Sequence, residues 1–225
     1  MIKEQTVEIK NVSLHCSKPN VVGSTVYLMD CVEGMKHYPD KYFDLAVVDP
    51  PYRDESENQP TQDMRNNGMI KNFGNKPTAA YFLELFRVSQ NQIIWGANNF
   101  DLPTNKGFLI YKKKTISDAF TMSMCEYAWI NEGLSTVSKL FEYHPQDKNR
   151  IHPTQKPVPL YDWIFKHYSK AGQRVLDTHL GSQSSRIAAD KAGLDFTGFE
   201  IDKEYYDLGE KRFKQYKSQL RIEGW

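Results

Sequence analysis

Asp49-Pro50-Pro51-Tyr52 carries the strongest chemical signal in the chain. It closes the apolar run of DLAVVDPPYRD, 44–54. Two consecutive prolines hold two φ angles near about −65° and supply no N–H, and each keeps the residue before it extended. The backbone therefore leaves the run stiffly, rich in acceptors. The Asp49 carboxylate and the Pro50 carbonyl can together accept both hydrogens of one exocyclic amine, while the Tyr52 ring stacks on the base that bears it. The plainer alternative is a turn, since Asp-Pro-Pro is also turn chemistry.

A second group lies in VLDTHLGSQSS, 175–185. It reads as a strand, a turn containing Gly181 and a helix start. In a doubly wound sheet such a turn lies at the carboxyl edge, where ligands bind and the N–H groups of the helix start face them. Glu200 ends the next predicted strand, 200 − 177 = 23 residues after Asp177. That is close to the ~20-residue spacing of a ribose-hydroxyl acceptor. The turn lacks G-x-G-x-x-G, which disfavours a pyrophosphate and favours an adenosine ligand without phosphates. Asp177 can accept from a ligand ammonium or cap the helix that follows, and a single glycine is equally consistent with an ordinary strand–turn–helix.

These groups need elements to hold them. The hydrophobic patterning predicts strands over 26–29, 43–48, 92–95, 107–111, 127–130, 174–176 and 196–199. It predicts helices over 32–38, 78–88, 160–169, 184–192 and 203–219. The near-continuous apolar run over 43–48, ending in the β-branched Val47 and Val48, suits a parallel strand covered on both faces. Gly172 is placed to cap the helix over 160–169, and Gly193 to close the one over 184–192. Residues 131–151 give no clear element. Alternation of strands and helices implies an α/β fold, a doubly wound, mostly parallel sheet with helices on both faces.

The 225 residues suit one domain, 1–225, interrupted by polar insertions at 53–77 and 131–152. No apolar run approaches the ~18 residues of a membrane span, and the polar start of the chain reads as lacking a signal peptide. The three cysteines, Cys16, Cys31 and Cys125, form neither a zinc spacing nor a disulfide framework, so free thiols in a reducing cytoplasm are expected. The net charge of +1 neither demands nor forbids a nucleic-acid partner.

In combination, DPPY after an apolar strand, IHPTQKPV at 151–158 and VLDTHLGSQSS…GFEIDKEYY resemble the beta-class amino-methyltransferases of DNA. The resemblance runs from about residue 27 to 212, with gaps at the polar insertions. IIWGANNF, 93–100, and CEYAW, 125–129, also resemble sheet segments of such enzymes.

The resemblance implies a Rossmann-like sheet and transfer of a methyl group from S-adenosylmethionine to the amine of a flipped-out base. DPPY, rather than a serine-initiated SPPY, points to adenine N6. The alternatives are cytosine N4, an RNA amine, or a non-catalytic DNA-binding relative. Asp49, Pro50, Pro51 and Tyr52 match the catalytic tetrad. Asp177, Thr178, Gly181 and Ser182 match the cofactor loop, and Glu200 the ribose acceptor. Lys156 matches a segment near the cofactor's amino-acid end, and Asp30-Cys31 a GDC-like element with Met29 in place of glycine. A solvated lysine and a strand-end cap are the plain alternatives for Lys156 and Asp30.

No metal is implied. DNA is the implied partner, with phosphate contacts sought at Arg53, Arg65, Lys71, Lys76, Lys112–Lys114, Lys139, Lys148, Arg150 and His152. A homodimer, a cytoplasmic location and a restriction-modification setting are implied by analogy alone. Two positions depart from the family pattern D-x-F-x-G-S-G-T-T. His179 replaces its aromatic, and Gln183 its second glycine, where a side chain meets positive φ at a cost. The catalytic loop precedes the cofactor loop, an order that a single parallel sheet accommodates because adjacent strands end at one edge.

Overall fold

The computed structural model describes residues 23–52, 75–117, 119, 123–144 and 150–219. In chain order the elements are β1 (Ser24–Leu28), α1 (Cys31–Met35), β2 (Phe43–Val48), α2 (Ala79–Val88), β3 (Ser89–Trp95), β4 (Phe108–Lys113), β5 (Cys125–Ile130), β6 (Lys139–Tyr143), α3 (Val158–Tyr168), β7 (Arg174–Asp177), α4 (Ser184–Lys191), β8 (Asp195–Glu200) and α5 (Lys203–Ser218).

Local signals explain most boundaries. Asp30 caps α1 by accepting from the N–H groups of Val32 and Glu33, and Asp202 caps α5 through Glu204 and Tyr205. Pro159 falls in the first turn of α3, where its missing N–H goes unused. Gly193 follows α4 with φ +66°, as expected. Gly172 does not cap α3. That helix ends at Ser169, whose N–H reaches Phe165, and Gly172 turns the chain toward β7 with φ +82°. Residues 139–143, unassigned from sequence, form the edge strand β6.

The eight strands make one sheet in the order β1-β8-β7-β2-β3-β5-β4-β6. Every neighbouring pair is parallel except those made by β5, which runs opposite to β3 and β4. Along β2, Leu45 and Val47 enter a core shared with α3 and α4, while Ala46 and Val48 enter one shared with α1 and α2. Helices thus cover both faces, and β2 is buried on each side, as its unbroken apolar run requires.

This topology decides what can meet. β1, β8, β7, β2 and β3 end at one edge, carrying Asp30, Glu200, Asp177, Asp49 and Gly96 side by side at the ~4.8 Å strand spacing. The reversed β5 begins at that edge, so Cys125 and Glu126 join it, beside Lys112 and Lys113 at the end of β4. The turn after β5 lies at the opposite edge, where Asn131 bonds Asn91 and Gln92 near the start of β3. Among the described residues no helix is long and apolar enough to cross a membrane.

Candidate active site

Tyr52 folds back on the loop that carries it. Its hydroxyl donates to Asp49 Oδ1 at 2.5 Å. The ring lies against Gly96, where a Cβ would meet Tyr52 Cε1 and Cδ1 and sit only 2.5 Å even from Cζ, and Gly96 itself holds φ +68°. Gly96 is therefore needed twice, for its backbone and for the absence of a side chain. Phe100 meets the Tyr52 ring edge-on at 6.3 Å.

The other Asp49 oxygen accepts from Lys156 Nζ at 2.5 Å. The same ammonium lies 2.8 Å from Glu126 Oε2, off the direction of a good hydrogen bond, and 3.1 Å from the Tyr52 hydroxyl. Glu126 Oε1 pairs with Lys113 at 2.6 Å. The result is an alternating row, Lys113–Glu126–Lys156–Asp49, with the Lys156 side chain only 4% exposed. Burial opposes the charge on Lys156, yet Asp49 and Glu126 hold its pKa well above the usual lysine range. Burial also opposes the charge of Glu126, but Lys156 and Lys113 outweigh it and bring that carboxyl down to about 2. Burial pushes the Asp49 carboxyl above its ordinary range, against the pull of Lys156 and with the help of Glu126. Trp95 borders the row with its ring centre 5.5 Å from Lys156, and its buried indole N–H has no acceptor among the described residues.

One strand away, Asp177 is buried with both oxygens engaged. Oδ1 accepts from the His179 N–H at 3.0 Å and Oδ2 from the Ser185 hydroxyl at 2.5 Å. It braces the turn rather than capping α4. Burial pushes its carboxyl up to about 7, and among the described residues no cation pairs with it. Gly181, at φ +47°, donates to Glu200 Oε2 at 2.8 Å, and Asp202 N–H donates to Oε1 at 2.9 Å. Two N–H donors keep Glu200 an acceptor although burial raises its pKa. The Thr178 hydroxyl pairs with Tyr81 and His179, and that of Ser182 with Ser184, so both side chains serve the loop. Burial and Asp30 push the Cys31 thiol up to about 12.

The two departures have structural answers. His179 fills the aromatic position as a ring packed edge-on against Tyr81 at 5.4 Å, and burial lowers its pKa to about 4, leaving it neutral. Gln183 adopts φ +58°, the conformation a glycine would favour. Its side chain turns away from the sheet edge into the α4–α5 contact, where Oε1 accepts from Arg186 at 2.8 Å. It packs so tightly on Gly209 that a Cβ there would lie 2.6 Å from Gln183 Cγ. Arg186 also pairs with Glu210 and lies over Phe213. Gln183 thus takes up the left-handed backbone conformation itself, in place of the pattern's second glycine.

The HPTQKP segment spans both loops. The His152 ring packs 3.4 Å from the Cβ position of Gly181 and edge-on against Tyr205, while Lys156 reaches Asp49. Lys156 is thus no solvated lysine, and Asp30 caps α1 through Oδ1 alone. Glu126 and Gly96 escaped the sequence reading, and Lys113, sought there as a phosphate contact, pairs instead with Glu126. Their signals were a glutamate inside the apolar CEYAW and a glycine directly after a buried strand. Of the expected DNA-contacting segments, 53–74 lies outside the described residues. Residues 131–138 and Lys139 occupy the sheet edge opposite Asp49, roughly 20 Å away along six-residue strands.

A sequence profile of the N6/N4 family described as DNA methylase matches residues 35–211. The type II methyltransferase M.HinfI of Haemophilus influenzae is 21% identical, the match covering 86% of this chain and 69% of that one. Among solved structures, the M1.HpyAVI–SAM complex aligns with a TM-score of 0.56 at 18% identity, over 85% of this chain and 99% of its own. The cytosine-N4-specific PvuII DNA methyltransferase aligns at 0.59 and 11% identity, over 89% and 88%. With the profile covering most of the chain, and the Asp49 and Asp177 loops brought to neighbouring strand ends, the chain belongs to the N6/N4 DNA methylase family, whose members methylate base amines with S-adenosylmethionine.

Proposed function

We propose that the chain methylates the N6 amine of an adenine turned out of DNA. The observation that carries this reading is the stiff Asp49–Tyr52 acceptor loop, one strand from the Asp177–Gly181 turn at the same sheet edge. S-adenosylmethionine, when bound, supplies a sulfonium methyl whose S–C bond breaks as the new N–C bond forms. The residues fit such a ligand. Asp177 is a buried carboxyl without a cation, suited to an ammonium, and Glu200 is an acceptor suited to ribose hydroxyls. Asp30 lies next along the edge. Gly181 and its neighbours contribute backbone, since the Thr178 and Ser182 side chains are engaged inside the loop.

The chain's own part is to prepare the nucleophile. An adenine amine is weakly nucleophilic because its lone pair is delocalised into the ring. Asp49 and the Pro50 carbonyl accept its two hydrogens, favour a pyramidal nitrogen and hold it in line, where positioning matters more than a strong base. The nitrogen gains positive charge on transfer and loses one proton, which Asp49 accepts and passes to solvent. Tyr52 offers a ring for the extruded base, offsetting part of the unstacking cost. Lys112 and Lys114, at this edge, supply phosphate contacts, joined by the 53–77 segment and residues 144–152.

The test incubates purified protein with methyl-labelled S-adenosylmethionine and unmethylated genomic DNA, then separates the nucleosides. N6-methyladenine is expected, and Asp49→Ala is expected to abolish it with the fold intact. N4-methylcytosine as the product overturns the choice of base. Full activity of a folded Asp49→Ala protein overturns the assignment of the loop.

A further inference from the structure

In the resting site the carboxylate meant for the amine is already taken. Asp49 receives Tyr52 on one oxygen and Lys156 on the other, each at 2.5 Å. An incoming amine must displace one of them, and Lys156, as a full positive charge, is the stronger competitor. Left alone with Asp49 in a buried site, it would hold the carboxylate and weaken it as an acceptor. Lys156 is not left alone. Glu126 stands on its far side at 2.8 Å, with an oxygen that has no other partner among the described residues. Glu126 reaches this place because β5 runs against its neighbours and starts where they end.

We propose that Glu126 is a positioning residue that draws Lys156 off Asp49 when the nucleobase amine enters, with Lys113 setting the strength of that pull. This rests on the reading of Asp49 as the amine's acceptor. Lys113 binds the other Glu126 oxygen at 2.6 Å and is 26% exposed, so it moderates the charge from the solvent side. Removing either neighbour's charge must act in opposite directions. Without the carboxylate of Glu126, Lys156 has only Asp49 to pair with. Without the ammonium of Lys113, Glu126 attracts Lys156 more strongly and Asp49 is freed.

The experiment is a single-turnover methyl transfer at saturating labelled S-adenosylmethionine and genomic DNA, for wild type, Glu126→Gln, Lys113→Gln and the double variant. Glu126→Gln is expected to slow transfer roughly tenfold with cofactor affinity unchanged, and Lys113→Gln to speed it about twofold. In the double variant the Lys113 change has no further effect. A purely structural role would slow every variant. The inference is overturned if Glu126→Gln transfers at the wild-type rate, or if Lys113→Gln slows transfer as Glu126→Gln does. Lys113 is partly exposed, so the sign of its effect decides even if Glu126→Gln does not fold. If wild type transfers no label, or Asp49→Ala still does, the function reading itself fails. Shifts of the same sign in an active enzyme sink only the positioning role.

Discussion

Replacing Gly96 by alanine tests whether the Tyr52 ring must lie where it does. The new Cβ would fall closest to Tyr52 Cε1 and lie only 2.5 Å even from Cζ, against an ordinary carbon–carbon contact of ~3.5–4 Å, so the ring must retreat by roughly 1.5–2 Å. The hydroxyl starts 2.5 Å from Asp49 Oδ1, and a retreat of that size takes it beyond the ~3.2 Å limit of a good hydrogen bond. At φ +68° an alanine also costs ~1–2 kcal/mol of backbone strain. Tyr52 is only half-buried and can swing outward. The total stability loss is then about 1–3 kcal/mol, a fall of several degrees in melting temperature for a chain this long. The effect on transfer is larger, since a displacement of ~1 Å at the reacting group can cost ~100-fold. Gly172→Ala is the control, because Gly172 has φ +82° but nothing within 4 Å of its Cβ position. It should show the same backbone cost with wild-type turnover. The assays are thermal melting and single-turnover transfer. If Gly96→Ala turns over within threefold of wild type, or Gly172→Ala loses activity equally, the account of Tyr52 is wrong.

Gln183→Gly relieves a left-handed backbone but empties a fully buried position that receives Arg186. It should destabilise by about 1–3 kcal/mol in urea unfolding while calorimetric affinity for S-adenosylmethionine stays within threefold. Gly209→Ala should destabilise alone, through overpacking against Gln183, and less so in the Gln183→Gly background, by about 1 kcal/mol of coupling. His152 and His179 are both lowered to about 4, chiefly by burial, so the unfolded chain binds more protons below about 6.5. Their stability contribution is complete above that pH and declines as pH falls toward 4. At pH 5 the loss is about 1–2 kcal/mol per histidine, read as a falling urea midpoint, and His179→Phe should remove about half of it.

What could be read from the sequence was whatever depends on near neighbours. The run over 43–48 announced a strand buried on both faces because nothing in it suits water. Two prolines announced a rigid exit because their effect is local. The cost at Gln183 was visible, but its relief was not, since that comes from Gly209 on another helix. Lys156 shows the same limit. A lysine between a glutamine and a proline has no local reason to be buried, and only Asp49 and Glu126, from two other elements, make it so. Glu126 could not be located without knowing that β5 is reversed. β6 went unread because a five-residue strand alternating Lys139, Leu140, Phe141, Glu142 and Tyr143 at a sheet edge differs little from a loop.

The strand order also divides the molecule by chain position. β1, β8 and β7, which carry Asp30, Glu200 and Asp177 at their ends, come from the two ends of the described chain, whereas β2 through β6 form one continuous middle piece, 43–143. Within the sheet the halves pair along a short seam, Leu45 with Val175 and Ala46 with Leu176, which the described backbone crosses twice, while both hydrophobic cores extend across it. The middle piece is therefore a cassette. Exchanging it between relatives would swap the base-gripping half while leaving every strand pairing within the other half undisturbed.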